Sequence, residues 1–161
     1  MSVLSAQSIR RLCTDPNMMQ GRPPLITPFT ERGVIAGRSY GLSSCTYDCR
    51  INHNLLLPVH QGRLAVTLEK FHLAPNICGS VFDKSTHARV FVTAFNTFLD
   101  PGWFGNLTIE LVNLGHEVVE WQAGEPVVQI KFEWLDEPTD RPYQGKYQDQ
   151  PAIPVGPIYE E

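Results

Sequence analysis

The segment Leu99-Asp-Pro-Gly-Trp-Phe-Gly-Asn-Leu-Thr-Ile-Glu110 joins a tight turn to a β-strand, and it indicates the fold of the whole chain. Asp-Pro-Gly is a favourable turn sequence, because proline presets φ and glycine accepts positive φ. The residues that follow alternate as in a strand with one aliphatic face. The side chains on that face are Leu107, Ile109 and Leu111. Glu110 falls on the opposite face, so a carboxylate is embedded in a largely apolar strand.

Short apolar segments of the same kind recur at roughly ten-residue intervals, which is the spacing of a β-sandwich or barrel. They are rich in β-branched and aromatic residues and are separated by Gly, Pro, Asn or Asp. The clearest of them are Leu64–Leu68, Ser80–Phe82, Ala88–Phe95 and Val127–Trp134. A helix is indicated near the N-terminus, where Ser5 can cap a turn that places Ile9 and Leu12 on one face. The prediction is a mainly β domain with one short N-terminal helix.

The composition fits one globular domain over residues 1–161. A formal net charge of -4 and a pI near 5.7 argue against a nucleic-acid partner, because nucleic-acid binders usually have a basic surface. The longest apolar runs, such as Asn54–Val59, are too short to cross a membrane. No signal peptide is recognisable, so we expect a cytoplasmic protein whose four cysteines are reduced.

The C-terminal segment, residues 135–161, differs in composition from the rest of the chain. It contains five prolines and few aliphatic residues, so it cannot form a core of its own. Two interpretations are open: a disordered tail, or a segment that becomes ordered over a ligand or a neighbouring subunit. The run Tyr143–Gln150 is dense in groups that hydrogen-bond and stack, which favours the second. We therefore expect a C-terminal lid.

Several familiar catalytic patterns are absent from the sequence. A zinc-dependent nucleotide deaminase needs His-x-Glu and Pro-Cys-x-x-Cys, and neither occurs. The five histidines do not have the spacing of metal ligands. There is also no P-loop, no Rossmann glycine pattern and no Gly-x-Ser-x-Gly nucleophile turn. The remaining chemistry is acid/base catalysis on a bound phosphate ester, without zinc.

A phosphate site without a P-loop is indicated at Lys84–Arg89. Lys84 and Arg89 supply positive charge, and the hydroxyls of Ser85 and Thr86 supply donors. Because the ligand chemistry is anionic, this segment suggests work on a nucleotide. The alternative is an ordinary charged turn that faces solvent.

The carboxylates of Glu110 and Asp100 are the candidates for proton transfer. If both faces of its strand are covered, Glu110 is desolvated and its pKa rises, which suits a general acid/base near neutral pH. The alternative is a strand glutamate that faces water. Asp100 either contributes to the site or does no more than cap its turn.

Together these motifs resemble the dCTP deaminase family of the dUTPase-like superfamily, over nearly the whole chain. The three most specific are Lys-Ser-Thr-x-Ala-Arg at 84–89, Asp-Pro-Gly-Trp-x-Gly-x-Leu-Thr-x-Glu-Leu-x-Asn at 100–113, and Tyr-Gln-Gly-Lys-Tyr-x-x-Gln at 143–150. Further similarity lies in Leu4–Leu12, Gly41–Arg50 and Val66–Glu69. The resemblance implies a distorted jelly-roll or β-barrel of the dUTPase-like type, assembled as a homotrimer with active sites between subunits.

The resemblance also implies roles for individual residues. Glu110 is expected to be the general acid/base that activates water, and Ser85 and Arg89 are expected to position that water and stabilise its charge. Mg²⁺ is carried by the substrate triphosphate, with no metal ligands from the protein and no zinc. The residues expected to bind substrate are Lys84, Thr86, His87, Ala88, Asn96, Asp100, Trp103, Thr108, Ile109, Tyr143, Lys146 and Gln150.

The function implied is zinc-independent deamination of dCTP to dUTP and ammonia, with dTTP as a possible feedback ligand. The alternatives are a dUTP diphosphatase, a bifunctional enzyme, or a nucleotide-binding trimer without catalysis. Retained Glu110 favours the deaminase, whereas retained Asp100 keeps phosphohydrolysis open, because related dUTPases use an aspartate there. Two departures from the family pattern are His87, at a usually apolar position, and the run Phe95–Asp100, which affects the expected base specificity.

Overall fold

The computed structural model describes residues 2–95 and 97–160, which form three short helices and thirteen strands. The helices are α1 (Ala6–Thr14), α2 (Pro16–Met19) and α3 (Ser85–Ala88). The strands are β1 (Ser2–Val3), β2 (Ile26–Thr27), β3 (Gly33–Ile35), β4 (Arg38–Leu42), β5 (Thr46–Arg50), β6 (Leu55–Leu57), β7 (Gly62–His72), β8 (Ile77–Asp83), β9 (Val92–Ala94), β10 (Phe98–Leu99), β11 (Phe104–Asn113), β12 (Val119–Trp121) and β13 (Pro126–Trp134). The prediction of a mainly β chain is therefore confirmed.

Two large antiparallel sheets contribute most of the structure. One has seven strands in the order β10-β8-β13-β5-β4-β3, with β1 also paired to β13. The other has four strands in the order β2-β7-β11-β9, and β12 pairs with β6 in a small third sheet. In the described residues the sheets stay open, so of the predicted forms the structure has packed antiparallel sheets and not a closed barrel. Closure is unnecessary because the sheets cover each other's apolar faces around one shared core.

The predicted N-terminal helix is present as α1. The Ser5 hydroxyl accepts a hydrogen bond from the Ser8 amide, and Ile9 and Leu12 are buried in the core. All four cysteines are free, as predicted, and Cys45 alone is exposed among them. Within residues 2–95 and 97–160, no helix is long and apolar enough to span a membrane.

A β-bulge between β7 and β11 fixes the register of the strand that carries Glu110. Asn106 lies opposite Lys70, but Thr108 lies opposite Val66, so β7 has extra residues at this point. The Thr67 hydroxyl accepts a 2.8 Å hydrogen bond from the Leu107 amide and so fills the irregularity. Beyond the bulge the pairing is regular, which places Glu110 directly opposite Leu64 of β7.

A buried ion pair connects the two large sheets. Glu69 of β7 is fully buried, and its carboxylate accepts hydrogen bonds from the Arg50 Nε at 2.7 Å and the Arg50 amide at 2.8 Å. Burial raises the pKa of Glu69, and the hydrogen bonds from Arg50 oppose that shift. Because either charge would be costly without the other, the pair fixes how β5 and β7 lie across the core.

Candidate functional site

A cavity of about 410 Å³ lies between β11, the turn before it and the C-terminal segment. Its size is within the range of small-molecule sites. The lining residues are Leu64, Thr97, Phe98, Leu99, Asp100, Trp103, Leu107, Thr108, Glu110, Tyr143, Tyr147, Gln150, Val155, Gly156 and Pro157. Most of this wall is apolar or aromatic, with a few polar groups converging from β11 and the C-terminal segment.

Glu110 is the most unusual polar residue in the cavity. Its Oε2 atom is buried and has no hydrogen-bond partner among the described residues. Burial raises the pKa of Glu110, and a hydrogen bond with its own backbone partly opposes the rise. The sequence prediction of a desolvated carboxylate is confirmed for the Oε2 atom, while the residue as a whole is half-buried. Such a carboxylate can accept a proton and return it near neutral pH.

Thr108 lies two residues before Glu110 on β11. Its backbone amide and its hydroxyl are both hydrogen-bonded to the C-terminal segment. Its amide donates to the Gln150 Oε1 at 3.3 Å. Its hydroxyl oxygen accepts a hydrogen bond from the Val155 amide at 3.1 Å. The segment that was predicted to be a lid therefore contacts the cavity floor of its own chain.

Other hydrogen bonds attach the C-terminal segment to the start of β11. The Trp103 indole donates to the Tyr147 carbonyl at 2.7 Å. The Gln148 amide group bridges the two parts: its Nε2 donates to the Gly102 carbonyl at 2.9 Å, and its Oε1 accepts from the Phe104 amide at 3.0 Å. These hydrogen bonds hold the C-terminal segment against the start of β11.

The glycines of the Asp-Pro-Gly-Trp-Phe-Gly sequence have a second role that the sequence did not reveal. A Cβ at Gly102 would lie 2.7 Å from the Pro142 Cβ, and one at Gly105 would lie 2.6 Å from the Gln150 amide nitrogen. Both glycines also have positive φ, at 85° and 146°. They are therefore needed for the close approach of the C-terminal segment as well as for the turn.

The segment Lys84–Arg89, which forms α3 and its two flanking residues, lies outside this cavity. Lys84 is buried and its ammonium group pairs with the Asp48 carboxylate. Ser85 and Arg89, by contrast, are exposed on the surface. Within one chain, the described residues therefore do not bring the predicted phosphate site to Glu110.

His87 faces the interior of the chain's own fold. It is 3% exposed, and its Nε2 lies 2.9 Å from the Pro126 carbonyl and 3.2 Å from the Trp121 indole nitrogen. One nitrogen cannot donate to the carbonyl and accept from the indole at the same time, so these two contacts compete. Burial lowers the pKa of His87, which keeps the ring neutral.

The family of the chain follows from comparison with known proteins. The family model described as dCTP deaminase-like matches residues 25–135, more than half of the 161 residues. The match includes Lys84–Arg89, Asp100 and Glu110. The chain belongs to the dCTP deaminase-like family.

Two curated relatives match this deaminase-like chain over most of its length and most of their own. The dCTP deaminase of Thermococcus gammatolerans is 40% identical over 136 residues, which cover 80% of this chain and 87% of the relative. The dCTP deaminase of Pyrococcus horikoshii is 34% identical over 131 residues, which cover 77% of this chain and 84% of the relative.

Solved structures share the fold of this deaminase-like chain at low sequence identity. The 2'-deoxycytidine 5'-triphosphate deaminase from Agrobacterium tumefaciens has a TM-score of 0.61 at 13% identity, covering 81% of this chain and 47% of that one. The EIAV dUTPase has a TM-score of 0.54 at 18% identity, covering 73% of this chain and 94% of that one. The predicted dUTPase-like fold is thus confirmed.

The structure brings five of the twelve predicted substrate-binding residues together in this cavity. Those that line it with Glu110 are Asp100, Trp103, Thr108, Tyr143 and Gln150. Ile109 is buried in the core, and Lys146 lies beside the cavity with its Nζ 3.7 Å from Glu160. Asn96 lies outside the described residues.

Several lining residues were not found from the sequence. Tyr147 lies next to the predicted Lys146, and its aromatic ring in the Gly-Lys-Tyr sequence was a usable signal. Leu64 and Val155 gave no signal, because their positions depend on strand pairing and on the path of the C-terminal segment. Within residues 2–95 and 97–160, no group of three or more His, Cys, Asp or Glu side chains could hold a metal ion.

Proposed function

We propose that the protein catalyses the hydrolytic deamination of dCTP to dUTP and ammonia. The observation that carries this proposal is the Glu110 carboxylate, which has a buried oxygen without a partner in the described part of the chain and lines a cavity of about 410 Å³. The curated relatives named dCTP deaminase, at 40% and 34% identity, support the same reaction. Supply of dUTP for the later synthesis of thymidine nucleotides is the corresponding metabolic role.

The proposed mechanism assigns both proton transfers to Glu110. Its carboxylate takes a proton from a water molecule, and the resulting hydroxide attacks the ring carbon that bears the amino group. The protonated Glu110 then gives that proton to the departing amino group, the carbon–nitrogen bond breaks, and ammonia leaves. Desolvation favours this cycle because it brings the pKa of Glu110 closer to the working pH.

Other cavity residues are proposed to bind the nucleotide. Asp100 would hold the deoxyribose 3'-hydroxyl, Thr108 the base, and Tyr143, Lys146 and Gln150 the triphosphate. Asp100 and Glu110 are the carboxylates in the cavity lining, and no three-ligand cluster occurs among the described residues. This donor set fits a Mg²⁺ ion that is held by the substrate phosphates and neutralises them.

We also propose that the enzyme is a cytoplasmic homotrimer and that α3 of one subunit completes the cavity of the next. Ser85 and Arg89 are exposed and lie outside their own cavity, so a neighbour is free to use them. Next to Arg89, Val90 is 50% exposed, and Phe91 and Phe95 are each 64% exposed. Such an apolar surface beside charged residues fits a subunit interface.

One assay tests the activity directly. The protein is incubated with dCTP or with dUTP in the presence of Mg²⁺, and ammonia and pyrophosphate are measured separately. We expect ammonia from dCTP, unchanged by a chelator that removes zinc and spares Mg²⁺. In Glu110→Gln, which keeps the shape but carries no proton, ammonia release falls by about 10²–10⁴-fold. Ammonia release at a near-normal rate by that variant would falsify the mechanism.

The dUTP diphosphatase and the bifunctional enzyme are the second candidates. They are favoured by Asp100, which lines the same cavity as Glu110. Pyrophosphate from dUTP, lost in Asp100→Asn and retained in Glu110→Gln, is the result that supports phosphohydrolysis. Binding without either product supports a non-catalytic trimer. Inhibition of ammonia release by added dTTP tests the proposed feedback.

A further inference from the structure

Leu64 and Glu110 form a cross-strand pair inside the cavity. The two residues are directly opposite in the antiparallel pairing of β7 and β11. Side chains of directly opposed residues lie on the same face of the sheet, with Cβ atoms about 4.5–5.5 Å apart. Both residues line the cavity, which confirms that they share this face. The neighbour of the proposed acid/base on β7 is therefore an aliphatic side chain.

Among the described residues, no charged side chain is a cause of the raised pKa of Glu110. The other titratable side chains that line the cavity are Asp100, Tyr143 and Tyr147. On β7, Arg63 is exposed and its guanidinium donates to the Gly62 carbonyl and the Gln61 side chain. Strand β9, on the other side of β11, contains Val92, Thr93 and Ala94 and carries no charge.

The environment of Glu110 is thus set mainly by how much water reaches its carboxylate. Its buried Oε2 has no partner among the described residues, and desolvation is the main cause of its raised pKa. Leu64 is 38% exposed and lines the cavity opposite Glu110, so it is an apolar side chain at the solvent-exposed edge of the cavity, on the same face as the carboxylate. A polar side chain at this position would bring a hydrogen-bond donor, or a water molecule, to the carboxylate.

We propose that Leu64 is a positioning residue for the deamination, because its side chain excludes water from one side of the Glu110 carboxylate. This inference rests on the proposed function, in which Glu110 carries the proton. In this proposal Leu64, which has no reactive group, limits the contact of water with the Glu110 carboxylate. The expected signature is a change in the pH dependence of catalysis, which a loss of packing alone does not produce.

The test compares Leu64→Asn with Leu64→Met. The asparagine amide can donate to the Glu110 carboxylate and stabilise its charged form, whereas methionine conserves volume and stays apolar. The pH profile of kcat with dCTP and Mg²⁺ is recorded for each variant. In parallel, the titration of the Glu110 side-chain carboxyl is followed by carbon-13 NMR of the nucleotide-free protein.

In Leu64→Asn we expect the acidic limb of the profile and the NMR midpoint to move to lower pH by about one unit, the effect of one hydrogen bond to a charged oxygen. The rate on the plateau falls several-fold, because a weaker base accepts the proton less readily. Leu64→Met keeps both midpoints. Equal midpoints in the asparagine and methionine variants would overturn the inference.

The chain offers a matched control at a second leucine–glutamate pair. Leu56 of β6 lies directly opposite Glu120 of β12, is 51% exposed and does not line the cavity. Leu56→Asn therefore repeats the substitution without touching Glu110, and both midpoints stay at the wild-type values. If Leu64→Asn does not fold, Leu64→Thr replaces it, because a β-branched polar residue suits a strand.

Failure of this inference and failure of the proposed function give different results. If the wild-type protein releases no ammonia from dCTP, the function is wrong, and the NMR titration still reports whether Leu64 controls the protonation of Glu110. If the wild-type protein releases ammonia and the midpoints do not depend on Leu64, the function stands and the inference is wrong.

Discussion

Strand β11 and helix α3 carry the two halves of the predicted site, and their polar side chains have opposite environments. On β11, Glu110 has a buried oxygen with no partner among the described residues, inside a cavity. In the segment Lys84–Arg89, which contains α3, the buried polar side chains have partners within the chain: Lys84 pairs with Asp48, and His87 contacts Pro126 and Trp121. Ser85 of α3 and Arg89, which follows the helix, are exposed.

This difference distinguishes polar side chains that stabilise the fold of the chain from polar side chains that remain available to a ligand or to a neighbouring chain. Burying a polar group without a hydrogen bond costs about 1–3 kcal/mol, so an unpartnered buried oxygen is rarely retained without use. Lys84 and His87 fasten α3 to the seven-stranded sheet, which holds the exposed Ser85 and Arg89 in a fixed place. We therefore expect α3 to act on a neighbouring cavity and β11 on its own.

Mixtures of two inactive variants show most directly whether α3 and β11 act across an interface. Arg89→Ala and Glu110→Gln are each expected to lower ammonia release by at least about 10²-fold. If the two residues meet between subunits, random mixed trimers restore about a quarter of the sites, those pairing an intact Glu110 with a neighbour's intact Arg89. The measurement is ammonia release from dCTP after the two proteins are co-expressed and purified together.

The control for this experiment is the double variant Arg89→Ala, Glu110→Gln, mixed with either single variant. Those mixtures cannot form a site with both residues intact, so they stay inactive. Mixed trimers of the two single variants that remain as inactive as their parents would show that α3 and β11 do not act across an interface.

Removal of the C-terminal segment is the next largest expected effect. A chain ending at Glu137 loses Tyr143, Tyr147 and Gln150 from the cavity wall but keeps every strand. We expect it to remain a folded trimer whose kcat/KM for dCTP is at least about 10-fold lower, because the cavity stays open to water. A chain ending at Pro157 keeps all lining residues and serves as the control. Normal turnover in the shorter chain would show that the segment is not a lid.

A single methyl group at Gly105 tests the docking of that segment. In Gly105→Ala the new Cβ meets the Gln150 amide nitrogen at 2.6 Å, so the segment must move away from β11. We expect cleavage in the segment by a protease to accelerate several-fold and the KM for dCTP to rise. Gly37→Ala is the control, since Gly37 also has positive φ, at 73°, but a Cβ there meets no atom within 4 Å.

Comparable protease sensitivity in the two glycine variants would mean that backbone strain, and not the clash with Gln150, causes the effect. Strain of this kind is expected to cost each variant about 1 kcal/mol of unfolding free energy. The comparison therefore isolates the contact between β11 and the C-terminal segment.

The smallest expected effect is a decrease in the free energy of unfolding of the protein in mild acid, caused by the buried His87 of α3. Burial lowers the pKa of His87, so below about pH 6.5 the unfolded chain binds a proton that the folded protein resists. The free energy of unfolding therefore falls as the pH drops through that value, by at most about 1.4 kcal/mol per pH unit. This contribution is absent in His87→Leu, so urea unfolding at pH 7, 6 and 5 should show a shallower fall. His116→Gln, at an exposed histidine, should follow the wild type.

Much of the site could be predicted from the sequence because the patterns that indicate it involve residues close together in the chain. The alternation around Glu110 predicted which face of β11 enters the core, and the structure confirms both the burial of Leu107 and Ile109 and the raised pKa of Glu110. The Asp-Pro-Gly turn and the cap at Ser5 were predicted for the same reason, since a few adjacent residues decide them.

The sequence by itself determined the strand periodicity, the turns, the N-terminal helix and the absence of a zinc pattern. Tertiary structure alone decided that Leu64 lies opposite Glu110, that the C-terminal segment crosses Gly105, and that α3 lies away from its own cavity. Periodicity and turn preference depend on neighbours in the chain. Register, docking and cavity shape depend on contacts between residues far apart in sequence, whose free energies no local pattern records.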